Sequence, residues 1–160
     1  MVLKNSKREF KSKNVETRGY FTVIIFILLL MADRITKFWA TTLTTEKDYG
    51  ILAFTYVTNT GAGFSLFSGM NVWLAVLSIM VLIAIIYYRK EIPKFSTMMI
   101  SAGILGNRID RIFYGSVIDF INFKFWPVFN VADSLICIGV LYWIIILFKE
   151  DRQNKKKSKK

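Results

Sequence analysis

Four stretches of the chain, 20–43, 72–88, 95–113 and 131–148, are apolar over a length that reaches across a bilayer. A hydrocarbon core of about 30 Å needs roughly 17 to 25 helical residues. The third stretch is interrupted by Asn107, Arg108, Asp110 and Arg111, so hydropathy alone would pass over it. Charge placement restores it. Six Lys and Arg precede Tyr20, three (Arg89, Lys90, Lys94) follow the second stretch and seven close the chain from Lys149 onward. Only Lys47 and Lys124 fall in the other two connections. Basic residues collect on cytoplasmic segments, so the pattern predicts an all-α membrane protein: a four-transmembrane-helix bundle with both termini cytoplasmic.

Between spans one and two, Ile51-Leu52-Ala53-Phe54-Thr55-Tyr56-Val57-Thr58 is rich in strand formers and runs into Asn59-Thr60-Gly61-Ala62-Gly63. This predicts a small extracytoplasmic β element. Its tight turn has backbone amides open to an extended peptide, although Gly and Asn also serve as a plain turn. One domain over 1–160 is expected, with a basic cytoplasmic arm at 1–19 and a basic tail at 149–160. The basic start and apolar run resemble a signal peptide. The run is long, however, and no small-x-small cleavage pattern follows Met31-Ala32-Asp33, so span one is read as retained.

Composition agrees with a membrane domain and narrows its chemistry. The 160 residues are 54% hydrophobic and 16% aromatic, with no histidine and one cysteine, and the mean hydropathy is +0.41. A Ser-His-Asp triad, a Cys-His pair, an HExxH zinc site and a disulfide scaffold are excluded within this chain. Carboxylates, lysines and arginines remain. The net charge of +11 reflects membrane orientation rather than nucleic acid, and the run from Lys155 to Lys160 reads as a solvated tail near anionic lipid. Trp39, Trp73 and Trp126 are expected near the outer interface, with Tyr20, Tyr87 and Tyr88 near the inner one.

Depth singles out the polar residues. At a rise of 1.5 Å per residue, Asp33 lies about 20 Å, Asn107 about 18 Å and Asp110 about 22 Å from the inner ends of their spans. Asp119 follows span three on the outer side, and Asn130 and Asp133 open span four from that side, so all converge on the outer half of the bilayer. Each has a plain explanation too. Asp33 and Lys37, at i and i+4, neutralise each other if paired, and Asn130 and Asp133 have the spacing of a helix cap. Asp110 and Arg111 point to different sides of a helix, and Cys137 reads as a small packing residue. Asp119 and Asp133 stand at the ends of a short outer connection. If it brings them together they cannot easily both ionise; one keeps a proton and the other serves as general base toward water, the arrangement of an aspartic peptidase.

These residues resemble one family, lipoprotein signal peptidase, or signal peptidase II. The resemblance rests on Asp33-Arg34-Ile35-Thr36-Lys37, Asn59-Thr60-Gly61-Ala62-Gly63-Phe64, Gly106-Asn107-Arg108-Ile109-Asp110-Arg111, Gly115-Ser116-Val117-Ile118-Asp119-Phe120 and Phe129-Asn130-Val131-Ala132-Asp133-Ser134, in order along nearly the whole chain. It implies an intramembrane aspartic endopeptidase that cleaves bacterial prolipoproteins just before a diacylglyceryl-modified cysteine. Asp119 and Asp133 match the catalytic pair. Asn59, Gly61, Asn107, Arg111 and Asn130 match positions that hold the substrate, and Asp33, Lys37 and Asp110 match residues that support the site. The expected partners are the prolipoprotein and membrane lipid, with no metal, cofactor or nucleic acid. The chain is expected as a monomer in the bacterial cytoplasmic (inner) membrane, multi-pass, its site facing the outer leaflet. Gly63 stands where the family usually has alanine, Arg34 where glutamine is common and Arg108 where an apolar residue is common. The stretch from Asp119 to Asp133 is shorter than in many members, which trims the flap over the site. A proton- or ion-coupled transporter and a non-catalytic peptide-binding scaffold are the rival readings; one-sided charges and the lack of repeated halves count against the first, the presence of both aspartates against the second.

Overall fold

The elements with described bounds are, in chain order, α1 (Val2–Ala40), β1 (Lys47–Asp48), β2 (Leu52–Asn59), α2 (Lys94–Tyr114), β3 (Val117–Phe123) and α3 (Val131–Lys157). The computed structural model describes residues 2–60, 80, 82–83, 85, 87–88 and 91–157, with the backbone alone before Tyr20. Gly61, Trp73 and most of the predicted second span lie outside the described residues.

The helix boundaries follow local chemistry. Pro93, with φ −53° and ψ 134°, precedes α2, and Gly115 ends it in the left-handed region at φ 68°, where a residue without Cβ is unstrained. The predicted third span, 95–113, differs by one residue at each end. α1 stops at Ala40, three residues before the predicted end. There the N–H groups of Thr42 and Leu43 bond to the carbonyls of Trp39 and Ala40, tightening the last turn. At its other end α1 continues as helix through 2–19, giving 39 residues and a length of about 58 Å, well beyond a hydrocarbon core. α3 likewise runs nine residues past the predicted limit of 148. Lys, Arg and Glu are good helix formers, so charge ends an apolar run without ending the helix.

One helix among the described residues, Val131–Gln153, is long and apolar enough by itself to cross a membrane. α1 and α3 turn large apolar side chains outward, among them Phe21, Ile24, Leu28, Leu141, Ile145 and Phe148. Apolar outer faces on this scale suit lipid contact. Inside, glycines let the helices approach. A Cβ on Gly103 would stand 2.3 Å from the Ala132 carbonyl oxygen, and one on Gly106 2.6 Å from Asp33 Oδ2.

The sheet corrects the prediction of a β element confined to the first outer connection. Its order is β1-β2-β3, all antiparallel, with Val57 opposite Asp119 and Asn59 opposite Val117. Asp119 is therefore a strand residue, not the end of a loop. A register shift between Phe54 and Val57 marks a bulge that re-aims the end of β2. Trp39 of α1 packs edge-on against Phe54 and Phe120, at 5.4 and 6.1 Å between ring centroids, which seats the sheet on the C-terminal end of α1.

Candidate active site

The start of α3 organises the site. Asn130 caps the helix: its Oδ1 accepts from the Asp133 N–H at 2.9 Å, and Asp133 Oδ2 accepts from the Asn130 N–H at 3.2 Å. This is a reciprocal capping box with aspartate in the place of glutamate. The Asn130 amide then reaches away from the helix and donates to Asp119 Oδ1 at 2.6 Å, with Asn107 Oδ1 at 3.1 Å and the Ile118 carbonyl at 3.2 Å as further acceptors. The cap explanation of this pair holds, and the same asparagine also reaches Asp119.

Two more asparagines complete the frame. Asn59, at the end of β2, donates to Asp119 Oδ2 at 2.9 Å, and Asn107, on α2, donates to Asp133 Oδ1 at 2.7 Å. Each of the four carboxylate oxygens of Asp119 and Asp133 thus accepts a hydrogen bond from an asparagine side chain or backbone. Burial, followed by the charge of Asp133, pushes the Asp119 carboxyl up to about 6, against the pull of the Asn59 and Asn130 hydrogen bonds. Arg111, half-buried on α2, lies within electrostatic reach of Asp133 and Asp119.

Behind this pair sits a second one, fully ionic. Asp33 and Asp110 are buried and share two cations. Arg34 places NH2 2.6 Å from Asp33 Oδ2 and NH1 2.6 Å from Asp110 Oδ1, while Lys37 places Nζ 3.2 Å from Asp33 Oδ2 and 2.7 Å from Asp110 Oδ2. Two carboxylates meet two cations, so the cluster is neutral. It also ties backbone together: Asp33 Oδ1 accepts from Ala132 N–H in the first turn of α3 at 3.0 Å, Asp110 Oδ2 from Ile118 N–H of β3 at 3.3 Å, and the Gly106 carbonyl from Arg34 at 2.9 Å. Lys37 Nζ donates to Asn107 Oδ1 at 2.9 Å. That bond fixes which end of the Asn107 amide faces Asp133.

All the sequence-derived site residues among those described, Asp33, Asn59, Lys37, Asn107, Asp110, Arg111, Asp119, Asn130 and Asp133, therefore converge. The i,i+4 pairing of Asp33 with Lys37 is present as read. Arg34, which stands where the family commonly has glutamine, joins Asp33 to Asp110. Its signal was a second cation beside a buried i,i+4 pair that already had one.

The comparisons with known proteins place the chain among membrane proteases of the aspartic peptidase class. The family described as signal peptidase (SPase) II matches residues 25–149, and the chain belongs to that family. The lipoprotein signal peptidase of Syntrophomonas wolfei is 42% identical over 142 residues, which cover 81% of this chain and 95% of the relative. That of Nostoc punctiforme is 41% identical over 143 residues, covering 81% and 90%. Two solved structures, each described as a bacterial membrane enzyme, share the fold. One has a TM-score of 0.75 and 30% identity, covering 84% of this chain and 91% of that one. The other has a TM-score of 0.70 and 32% identity, covering 81% and 93%.

Proposed function

We propose that this protein is a multi-pass intramembrane endopeptidase of the bacterial cytoplasmic membrane that removes signal peptides from prolipoproteins, cutting before the diacylglyceryl-modified cysteine on an Asp119–Asp133 dyad. The observation that carries this reading is Asn130. One asparagine caps the helix that bears Asp133 and donates to Asp119, so the two carboxylates are indexed to one another through a single rigid residue. The relatives' shared name supplies the substrate class.

In this mechanism the pair holds one proton between its two carboxyl groups. The ionised member takes a proton from water as the oxygen attacks the scissile carbonyl, and the protonated member donates to the oxygen that gains charge. The tetrahedral intermediate collapses as the leaving amine receives a proton, and no covalent enzyme intermediate forms. Asn59, Asn107 and Asn130 line the site and fix the carboxylates, while Arg111 and Gly61 offer donors to the substrate backbone, which in a lipid surrounding needs partners. Above about pH 6 Asp119 loses the proton with which it serves as the acid, so the basic limb of turnover falls near the Asp119 value.

Four spans with both ends cytoplasmic follow from the basic residues flanking the helices. That orientation directs the site to the outer leaflet, where the lipidated cysteine of a monomeric enzyme's substrate would lie.

The decisive experiment is cleavage of a diacylglyceryl-modified prolipoprotein by the purified protein, beside Asp119→Asn, Asp133→Asn and an unlipidated substrate. Cleavage that depends on the lipid and on both aspartates is the expected result. Undiminished turnover by either folded variant would overturn the dyad.

A further inference from the structure

α1 and α2 touch at one level and part at another. A Cβ on Gly106 would stand 2.6 Å from Asp33 Oδ2, so the two helices meet closely where they carry the buried carboxylates. Toward their N-terminal ends a recess of about 380 Å³ opens between them, with Val23 and Phe26 of α1 on one side and Lys94, Thr97, Met98 and Ser101 of α2 on the other. Phe26 also packs against Met99 and Ala102, which fixes the floor. At 1.5 Å per residue Lys94 lies about 18 Å along α2 from Gly106, so the recess is remote from the dyad. Its charge is confined to one end. Among the described residues Lys94 is the one charged side chain that lines it, and the first turn of α2 holds no acidic residue. Arg89, Lys90 and Glu91 come just before it in the chain, so residues 89–94 carry three cations against one anion.

We propose that this recess binds one anionic phospholipid of the cytoplasmic leaflet, with an acyl chain laid between α1 and α2 and the phosphate against Lys94 Nζ. Three observations favour that occupant. The cation stands at the mouth, while Val23, Phe26 and Met98 make the depth apolar, which matches an anionic head on a hydrocarbon tail. The recess opens on the outward apolar face of α1, where Val23, Ile24 and Ile27 are exposed and a lipid can enter sideways. An apolar cavity of about 150 Å³ holds a benzene ring, so this one accommodates a run of methylenes, and the flexible Met98 adapts to their path. The stem of Lys94 lies along apolar surface while its ammonium reaches headgroup level. Lipid tails gain little from apolar contact alone, so selection falls to the headgroup, where one basic residue near the surface favours an anionic lipid about fivefold. A lipid held there fills the gap between α1 and α2 and braces the two helices that carry Asp33 and Asp110. The leaflet follows from the orientation proposed above; the binding itself requires neither that orientation nor cleavage.

The test titrates the purified protein in detergent with dioleoyl phosphatidylglycerol or dioleoyl phosphatidylcholine and counts bound lipid by native mass spectrometry. The wild type is expected to bind one phosphatidylglycerol about fivefold more tightly than phosphatidylcholine, and to melt at a higher temperature when it does. Lys94→Gln, at an exposed position, should bring that ratio close to one. A preference that Lys94→Gln leaves intact would overturn the inference. Ser101→Trp, which fills the recess, should lose the bound lipid; a folded Ser101→Trp that binds like wild type puts the lipid elsewhere. A further readout needs no substitution. Phosphatidylglycerol with a diazirine midway along one acyl chain should label residues 22–26 or 97–101 of the wild type on irradiation, and labelling confined to other segments counts against the recess. Glycerol 1-phosphate separates the headgroup from the whole lipid. It should leave the melting temperature unchanged, and a rise equal to that given by phosphatidylglycerol would remove the acyl chain from the site. None of these readouts measures cleavage, so the lipid site and the peptidase reading stand or fall separately.

Discussion

Two pairs of aspartates lie side by side in this protein, and their partners differ in kind. Asp33 and Asp110 are held by Arg34 and Lys37, charge for charge. Asp119 and Asp133 are held by asparagine amides and one backbone N–H. Removing a partner from a carboxylate set between two cations strands a buried charge. A carboxylate held by neutral donors beside another carboxylate can take up and release a proton near neutral pH. The first pair fastens α1, α2, β3 and the start of α3 to one another; the second is held by hydrogen bonds from Asn59, Asn107 and Asn130. Asn107 joins the two, accepting from Lys37 and donating to Asp133.

The sharpest way to break this contrast is to remove one charge from each pair. Asp119→Asn is expected to lower single-turnover cleavage by about 10³-fold or more while keeping the fold, and Asp110→Asn to lower stability by about 3–5 kcal/mol, read by thermal melting in detergent. If Asp110→Asn melted like wild type and lost only turnover, the division of roles would be wrong. Lys37→Ala should come next, with stability lowered by about 3 kcal/mol. Its chemical step should fall by only about tenfold through the released Asn107 amide, and single-turnover rates on the folded fraction separate the two effects. Gly106→Ala puts a Cβ 2.6 Å from Asp33 Oδ2; a loss of roughly 1–3 kcal/mol in denaturant unfolding is expected.

The smallest effect is a pH dependence. Burial holds Asp119 at about 6 instead of 3.8, so the folded protein retains a proton that the unfolded chain has lost. The resulting stabilisation is complete below pH 3.8 and disappears as pH rises through 6. Relative to Asp119→Asn, the wild type should therefore lose melting temperature between pH 4 and 7. A constant difference would remove Asp119 from the titrating pair.

Much of this was legible in the sequence where local chemistry and position coincide. Pro93 and Gly115 bracket α2, and the Asn130–Asp133 spacing marks the start of α3, so those limits were readable to within a residue or so. β3 was not. Its polar residues, Asp119 and Asn122, stand three apart and break the alternation by which a strand is recognised; Asp119 is buried because it faces the site rather than solvent. The role of Arg34 is not legible for a related reason. Its partner Asp110 is 76 residues away, and no local pattern announces an ion pair across two helices.

The bond from Ala132 to Asp33 spans 99 residues, and Asp119, Asn130 and Asp133 all belong to the last third of the chain. During synthesis, α1 emerges with an acidic acceptor whose mate has not yet been made. Contacts this distant in sequence form late. The site therefore closes only when nearly all of the polypeptide is in place, and a nascent or truncated chain lacks the assembled carboxylate pair at the point of insertion.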